Sequence, residues 1–186
     1  MTAVPSTMLP LGTAAPGFTL PDTVSGEAVD LAAIQSDTAT VIMFICNHCP
    51  YVKHVNKELV RVANDYQPKG VAFVAINSND IEAYPEDSPE RMKEVAEQQG
   101  YSFPYLYDED QSVAKAYKAA CTPDLFVFDD QMKLVYRGQL DGSRPRNDVP
   151  LTGEDLRAAL DAVIAGEPVM EDQRPSIGCN IKWKES

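Results

Sequence analysis

The chain has 186 residues and a formal net charge of −12. That length suits one compact α/β domain with room for an insertion, and an acidic balance without any Lys/Arg block argues against a nucleic-acid face or adhesion to an anionic membrane. No apolar run approaches transmembrane length. The opening M-T-A-V-P-S-T-M-L-P-L-G lacks the basic and apolar regions of a signal peptide, so the expected location is cytoplasmic.

Residues 1–16 are rich in Pro, Thr and Ala and read as an arm. Phe18-Thr19-Leu20 and Ala28-Val29-Asp30-Leu31 are expected to pair as a hairpin around Pro21 to Gly26. Val41 to Ile45 is a short apolar run with β-branched character, the expected first central strand. From Tyr51 to Tyr66, apolar residues at 52, 55, 59, 62 and 66 form one helical stripe. Val71 to Ile76 is apolar without alternation, as a strand covered on both faces should be. Strand, helix and strand at this spacing make a βαβ unit.

Asn77 to Pro104 is then an excursion holding a helix capped by Ser88, opened by Pro89 and closed by Gly100. A shorter helix over Gln111 to Ala119 leads to Cys121-Thr122-Pro123. Leu125 to Phe128 and Leu134 to Arg137 flank a polar turn and predict an antiparallel hairpin. Thr152-Gly153-Glu154-Asp155 has the pattern of a capping box opening a helix to Ala165. Residues 167–186 are a tail, expected to pack on the domain with Ile177, Ile181 and Trp183 on one buried face.

Chemistry concentrates where the first central strand meets the first long helix, at Cys46-Asn47-His48-Cys49. Residues three apart share one face of a helical turn, so the two sulfurs can meet. The positive end of the helix favours a thiolate on Cys46. A Cys-x-x-Cys alone also fits half of a metal site or two inert thiols; its place at a strand–helix junction favours redox chemistry.

The order of elements resembles the thioredoxin fold over Thr40 to Ala165. The N-terminal hairpin, the insertion after the second central strand and the segment L-G-T-A-A-P-G-F-T-L-P-D at 11–22 are similar to the redoxin branch, which holds TlpA-like thiol-disulfide oxidoreductases and AhpC/TSA relatives. The fold expected is therefore a single thioredoxin-like α/β domain, 1–186, with a central mixed sheet flanked by helices. The resemblance implies Cys46 as the exposed attacking thiol and Cys49 as the buried resolving one, with His48 stabilising the thiolate. It identifies Thr122-Pro123 with the cis-proline turn facing the pair, where the Thr122 backbone would bind an extended substrate. Cys121 and Cys179 are auxiliary thiols; a tail folded towards the Cys121 turn would let them bridge.

The function expected is disulfide exchange with protein or small-molecule disulfides and a thiol electron donor, by a monomer needing no cofactor. A thiol peroxidase is the alternative. Met43 stands three before Cys46, and Cys46 three before Cys49, where peroxiredoxins carry a hydroxyl residue. A copper or zinc module using Cys46, His48, Cys49 and His54 is the third reading; four ligands this close would strain a tetrahedral site, and no metal is expected.

Overall fold

The computed structural model describes residues 2–186. Strand β1 (Ala3–Pro5) forms inside the segment read as an arm. β2 (Thr19–Pro21) and β3 (Ala28–Asp30) make the expected antiparallel hairpin, and the one-turn helix α1 (Leu31–Ile34) is capped by the Asp30 carboxylate. Next come β4 (Ala39–Phe44), α2 (Pro50–Tyr66), β5 (Val71–Asn77), α3 (Pro89–Gln99) and β6 (Tyr105–Tyr107). The chain continues through α4 (Ser112–Ala116), β7 (Cys121–Thr122), β8 (Asp124–Phe128), β9 (Leu134–Gly138), α5 (Glu154–Ile164) and β10 (Ile177–Asn180).

The central sheet has five strands in the order β6-β5-β4-β8-β9. β4, β5 and β6 run parallel, and β8 and β9 run antiparallel to them, giving a mixed sheet. Successive strand residues face opposite sides, and β4 feeds two cores in this way. Val41 and Met43 pack with Val52, Leu59, Val62 and Leu160 under α2 and α5. Ile42 and Phe44 pack with Leu106, Tyr117, Phe126 and Phe128 on the other face. Every β4 residue is buried, Thr40 included, as its otherwise apolar sequence requires.

Two helix starts differ from expectation. α2 begins at Pro50 with Cys49 as its N-cap, because proline at the first helical position gives up no hydrogen bond. At α5, Thr152 forms no capping box: the N-cap is Gly153 in left-handed geometry. Asp141 Oδ2 accepts from the Thr152 and Gly153 N–H groups instead, at 2.8 and 2.6 Å. A distant carboxylate supplies the anion that the helix end favours.

The tail forms the middle strand of a second sheet, order β1-β10-β7. Of its apolar residues Ile181 is buried, whereas Ile177 and Trp183 are 40% and 41% exposed. The strand ends at Asn180, so one pleat does not carry all three to one face. No helix among the described residues is long and apolar enough to cross a membrane.

Candidate active site

The site begins where β4 stops. Ile45 N–H still reaches Ile76 O at 3.0 Å, holding the chain to β5 until the turn at 46–49. Asn47 then fixes that turn. Its N–H donates to Asp87 Oδ1 at 2.6 Å, its Nδ2 to Glu86 O at 2.9 Å, and its Oδ1 accepts from Tyr105 OH at 2.8 Å. Because the helix starts only at Pro50, Cys46 lies ahead of it and Cys49 sits at its end. The cysteines therefore share a turn rather than a helical face.

Neither sulfur is exposed: Cys46 retains 1% accessibility and Cys49 none. The expected contrast of an exposed and a buried thiol is absent because the 78–88 excursion and the C-terminal strand both close over the turn. Cys46 Sγ contacts Thr122 Oγ1 at 3.3 Å, and Cys49 Sγ contacts Thr122 O at 3.4 Å. The Thr122–Pro123 peptide is cis. The backbone edge of Thr122 is already taken, since β10 pairs with β7 with Cys179 opposite Thr122.

The electrostatics reverse the expectation for the two thiols. The Cys46 thiol is held well above its ordinary range by its hydrogen bond to Cys49, by burial and by the charge of Asp87. Cys49 is lowered to about 5 by that same bond; burial opposes the shift, and the Cys179 thiol and the Val52 and Cys179 amides support it. The anion thus belongs on Cys49, the sulfur at the helix end. Cys46 keeps the proton between them.

Asp87, in the excursion just before the Ser88 cap, is absent from the site residues expected of the sequence. It is completely buried. Besides Asn47, it accepts from Asn77 Nδ2 at 3.3 Å and Asn79 Nδ2 at 2.9 Å, and it forms an ion pair with His48 Nδ1. Burial pushes its carboxyl up, but the bonds from His48, Asn79 and Asn47 outweigh burial and leave it below its ordinary value. His48 is held from a second side by stacking on Tyr84, ring centroids 5.3 Å apart. A signal was legible: three amide side chains, Asn47, Asn77 and Asn79, stand at strand ends, where a buried anion can collect donors.

Cys46 Sγ, a ring nitrogen of His48 and an Asp87 oxygen lie within 4.8 Å of one another. Cys, His and Asp are ligand types that zinc accepts. Both Asp87 oxygens, however, already accept from the Asn and His groups named above, so a cation would have to displace those bonds. His54 is not part of the set; its Nε2 lies 2.8 Å from Ser143 Oγ.

Of the auxiliary thiols, Cys121 is buried, raised by burial and the charge of Asp124, and its Sγ lies 3.7 Å from Pro123 O. In the β7–β10 register it faces Asn180, and Cys179 faces Thr122. Side chains one step apart on a strand point to opposite faces, so Cys179 Sγ meets Cys49 Sγ, 2.6 Å away, rather than Cys121. The tail does fold back to the Cys121 turn, but its cysteine reaches a different sulfur.

Comparison with known proteins fits this geometry. The AhpC/TSA family profile matches residues 11–137. The thiol-disulfide oxidoreductase ResA of Halalkalibacterium halodurans is 24% identical over 124 residues, which span 67% of this chain and 65% of that protein. The crystal structure of an uncharacterized conserved protein from Geobacillus kaustophilus is 68% identical with a TM-score of 0.99, covering 100% of this chain and 98% of that one. The thioredoxin domain of a Bacteroides vulgatus thiol-disulfide oxidoreductase, 19% identical, superposes with a TM-score of 0.60 over 70% of this chain and 89% of that domain. With a mixed sheet, a strand–helix cysteine turn and a facing cis-proline, the chain has a thioredoxin-like fold and belongs to the AhpC/TSA family.

Proposed function

We propose that the protein is a thiol-disulfide oxidoreductase exchanging disulfides through Cys46 and Cys49. The observation that carries this reading is two cysteine sulfurs on one strand–helix turn, both against Thr122 beside the cis peptide. The substrate class is a protein or small-molecule disulfide, and a thiol donor completes the cycle.

The proton between the sulfurs decides which one attacks. In the closed form the charge rests on Cys49, so the proton of Cys46 passes to Cys49 before Cys46 attacks. The target S–S bond breaks, a Cys46–target disulfide forms, and the other target sulfur leaves as a thiolate. Cys49 then loses its proton and attacks Cys46, closing the Cys46–Cys49 disulfide and releasing the second target thiol. Two electrons move to the target, and the same steps run backwards in an oxidant. Thr122 Oγ1 holds the Cys46 sulfur in place, while the Thr122 backbone edge stays paired with β10. His48, ion-paired to Asp87, offsets the carboxylate charge that opposes a thiolate on Cys46.

Reduced protein mixed with glutathione disulfide should exchange rapidly, and Cys46→Ser should fall to the rate of an ordinary buffer thiol. A Cys46→Ser variant as active as the parent would end the proposal. A thiol peroxidase is the second reading, favoured by the burial of both sulfurs, which admits a small oxidant more readily than a protein disulfide. It requires a sulfenic acid on one cysteine during peroxide turnover. Peroxide consumption no faster than that of cysteine would dismiss it.

A further inference from the structure

β10 occupies the place at which an extended substrate was expected. It pairs antiparallel with β7, and its Cys179 stands opposite Thr122, the residue that touches both site sulfurs. The close approach depends on Gly178. A Cβ there would lie 1.9 Å from Thr122 O, nearer than any side chain can come. Further bonds fix the strand on both sides: Ser6 N–H donates to Ser176 O at 2.8 Å, and Ile181 N–H donates to Ala120 O at 3.0 Å. Beyond the strand, Lys182 N–H donates to Asn79 Oδ1 at 2.9 Å, tying the tail to the loop that carries Asp87. The Cys179 sulfur is thereby buried and delivered to within 2.6 Å of Cys49 Sγ.

We propose that Cys179 is a third redox thiol of the site, presented by the chain's own C-terminal strand in the manner of a substrate cysteine and exchanging disulfides with Cys49. This rests on the oxidoreductase reading for the supply of the first disulfide. The step is an isomerisation. Cys179 sulfur attacks Cys49 in the Cys46–Cys49 disulfide, the Cys46–Cys49 bond breaks, the Cys49–Cys179 bond forms, and the proton lost by Cys179 is taken by Cys46. No electrons enter or leave.

In the reduced site the thiol proton stays on Cys179, which is pushed up to about 12 by burial and by the bond and charge of Cys49. Oxidation of Cys49 removes both Cys49 contributions, so Cys179 ionises more easily when there is a disulfide to attack. The product returns Cys46 to the thiol state while the oxidising equivalent is stored against the tail. It also pins β10 to the N-terminus of α2.

The test uses the full chain. Wild type, Cys46→Ser and Cys49→Ser are each oxidised with glutathione disulfide, quenched in acid, alkylated and digested without reduction. The wild type should give both Cys46–Cys49 and Cys49–Cys179 linkages. Cys46→Ser should give the Cys49–Cys179 linkage at least about tenfold more abundantly than Cys49→Ser gives a Cys46–Cys179 linkage, since the Cys179 sulfur is placed 2.6 Å from Cys49. Recovery of Cys49 as its glutathione mixed disulfide with Cys179 fully alkylated, in Cys46→Ser or in wild type, would overturn the inference. A Cys46–Cys49 linkage formed while Cys179 stays alkylatable would refute the third thiol and leave the oxidoreductase reading standing. A Cys49–Cys179 linkage that forms no faster in wild type than in Cys46→Ser would keep the third thiol and overturn exchange through Cys46.

Discussion

Cys46 and Cys49 differ by three positions in sequence, yet burial and neighbours give them opposite tendencies to ionise. The hydrogen bond between them is the largest cause on Cys46 and burial the next; outside the pair, the charge of Asp87 opposes a second anion on Cys46. His48, when protonated, masks that charge through its ion pair. His48→Ala should therefore raise the Cys46 pKa further and slow attack by Cys46 at neutral pH. Ultraviolet absorbance of the thiolates against pH and the rate of exchange with glutathione disulfide would each report the change; an unaltered pH titration would mean that His48 only fills space. The same variant removes a partner from the buried Asp87 carboxylate, at a cost of about 1.5–3 kcal/mol in stability. Chemical denaturation measures that loss separately from the change in exchange rate.

Among the elements, β10 carries the most consequence for its length. It has four residues, and it joins β1, where Val4 pairs with Gly178 across 174 positions, to β7 beside the cis peptide. Gly178→Ala forces a methyl group against Thr122 O and should displace the strand. Overpacking of this kind costs roughly 1–3 kcal/mol. The expected result is faster amide exchange over β10 and faster alkylation of Cys179, with the central sheet still protected. Equal alkylation rates in variant and parent would show that the strand adjusts without moving the sulfur. The excursion between β5 and β6 acts as a second lid: Asn79 and Asp87 tie it to the tail and to the cysteine turn.

For the molecule as a whole, two buried carboxylates set opposite pH dependences. Burial pushes Asp124 up to about 7, and the Ser6 hydroxyl and the Ala120 and Leu125 amides only partly offset it. The folded state thus keeps a proton that the unfolded chain releases near pH 3.9. That contribution is fully present below the unfolded value and is lost as pH rises through about 7. Asp87 is depressed, so its contribution is present above the ordinary carboxylate range and is lost as pH falls through its folded value. Stability should peak in mildly acidic solution. Asp124→Asn should raise the unfolding midpoint at about pH 8 relative to the parent, and change it little near pH 5. A variant that tracks the parent across both conditions would remove Asp124 as the source.

By itself the sequence determined most of the thioredoxin-like order of elements, although the edge strand β6, three residues long, carried too little pattern to be expected. The period-3.6 stripe of α2, the unbroken apolar run of β5, and the Ser88, Pro89 and Gly100 boundaries of α3 are all readable without tertiary contacts. The place of Cys46 and Cys49 at a strand–helix junction followed from the same signals. Only the tertiary structure decided which sulfur bears the charge, because the anion depends on Asp87 and Cys179, 41 and 130 positions from their cysteine partners Cys46 and Cys49. It alone decided the cap of α5, which comes from Asp141, and the burial of both thiols beneath the 78–88 loop and the tail. Burial and charge act through space, and strand pairing between chain ends leaves no periodicity in a four-residue segment to announce it.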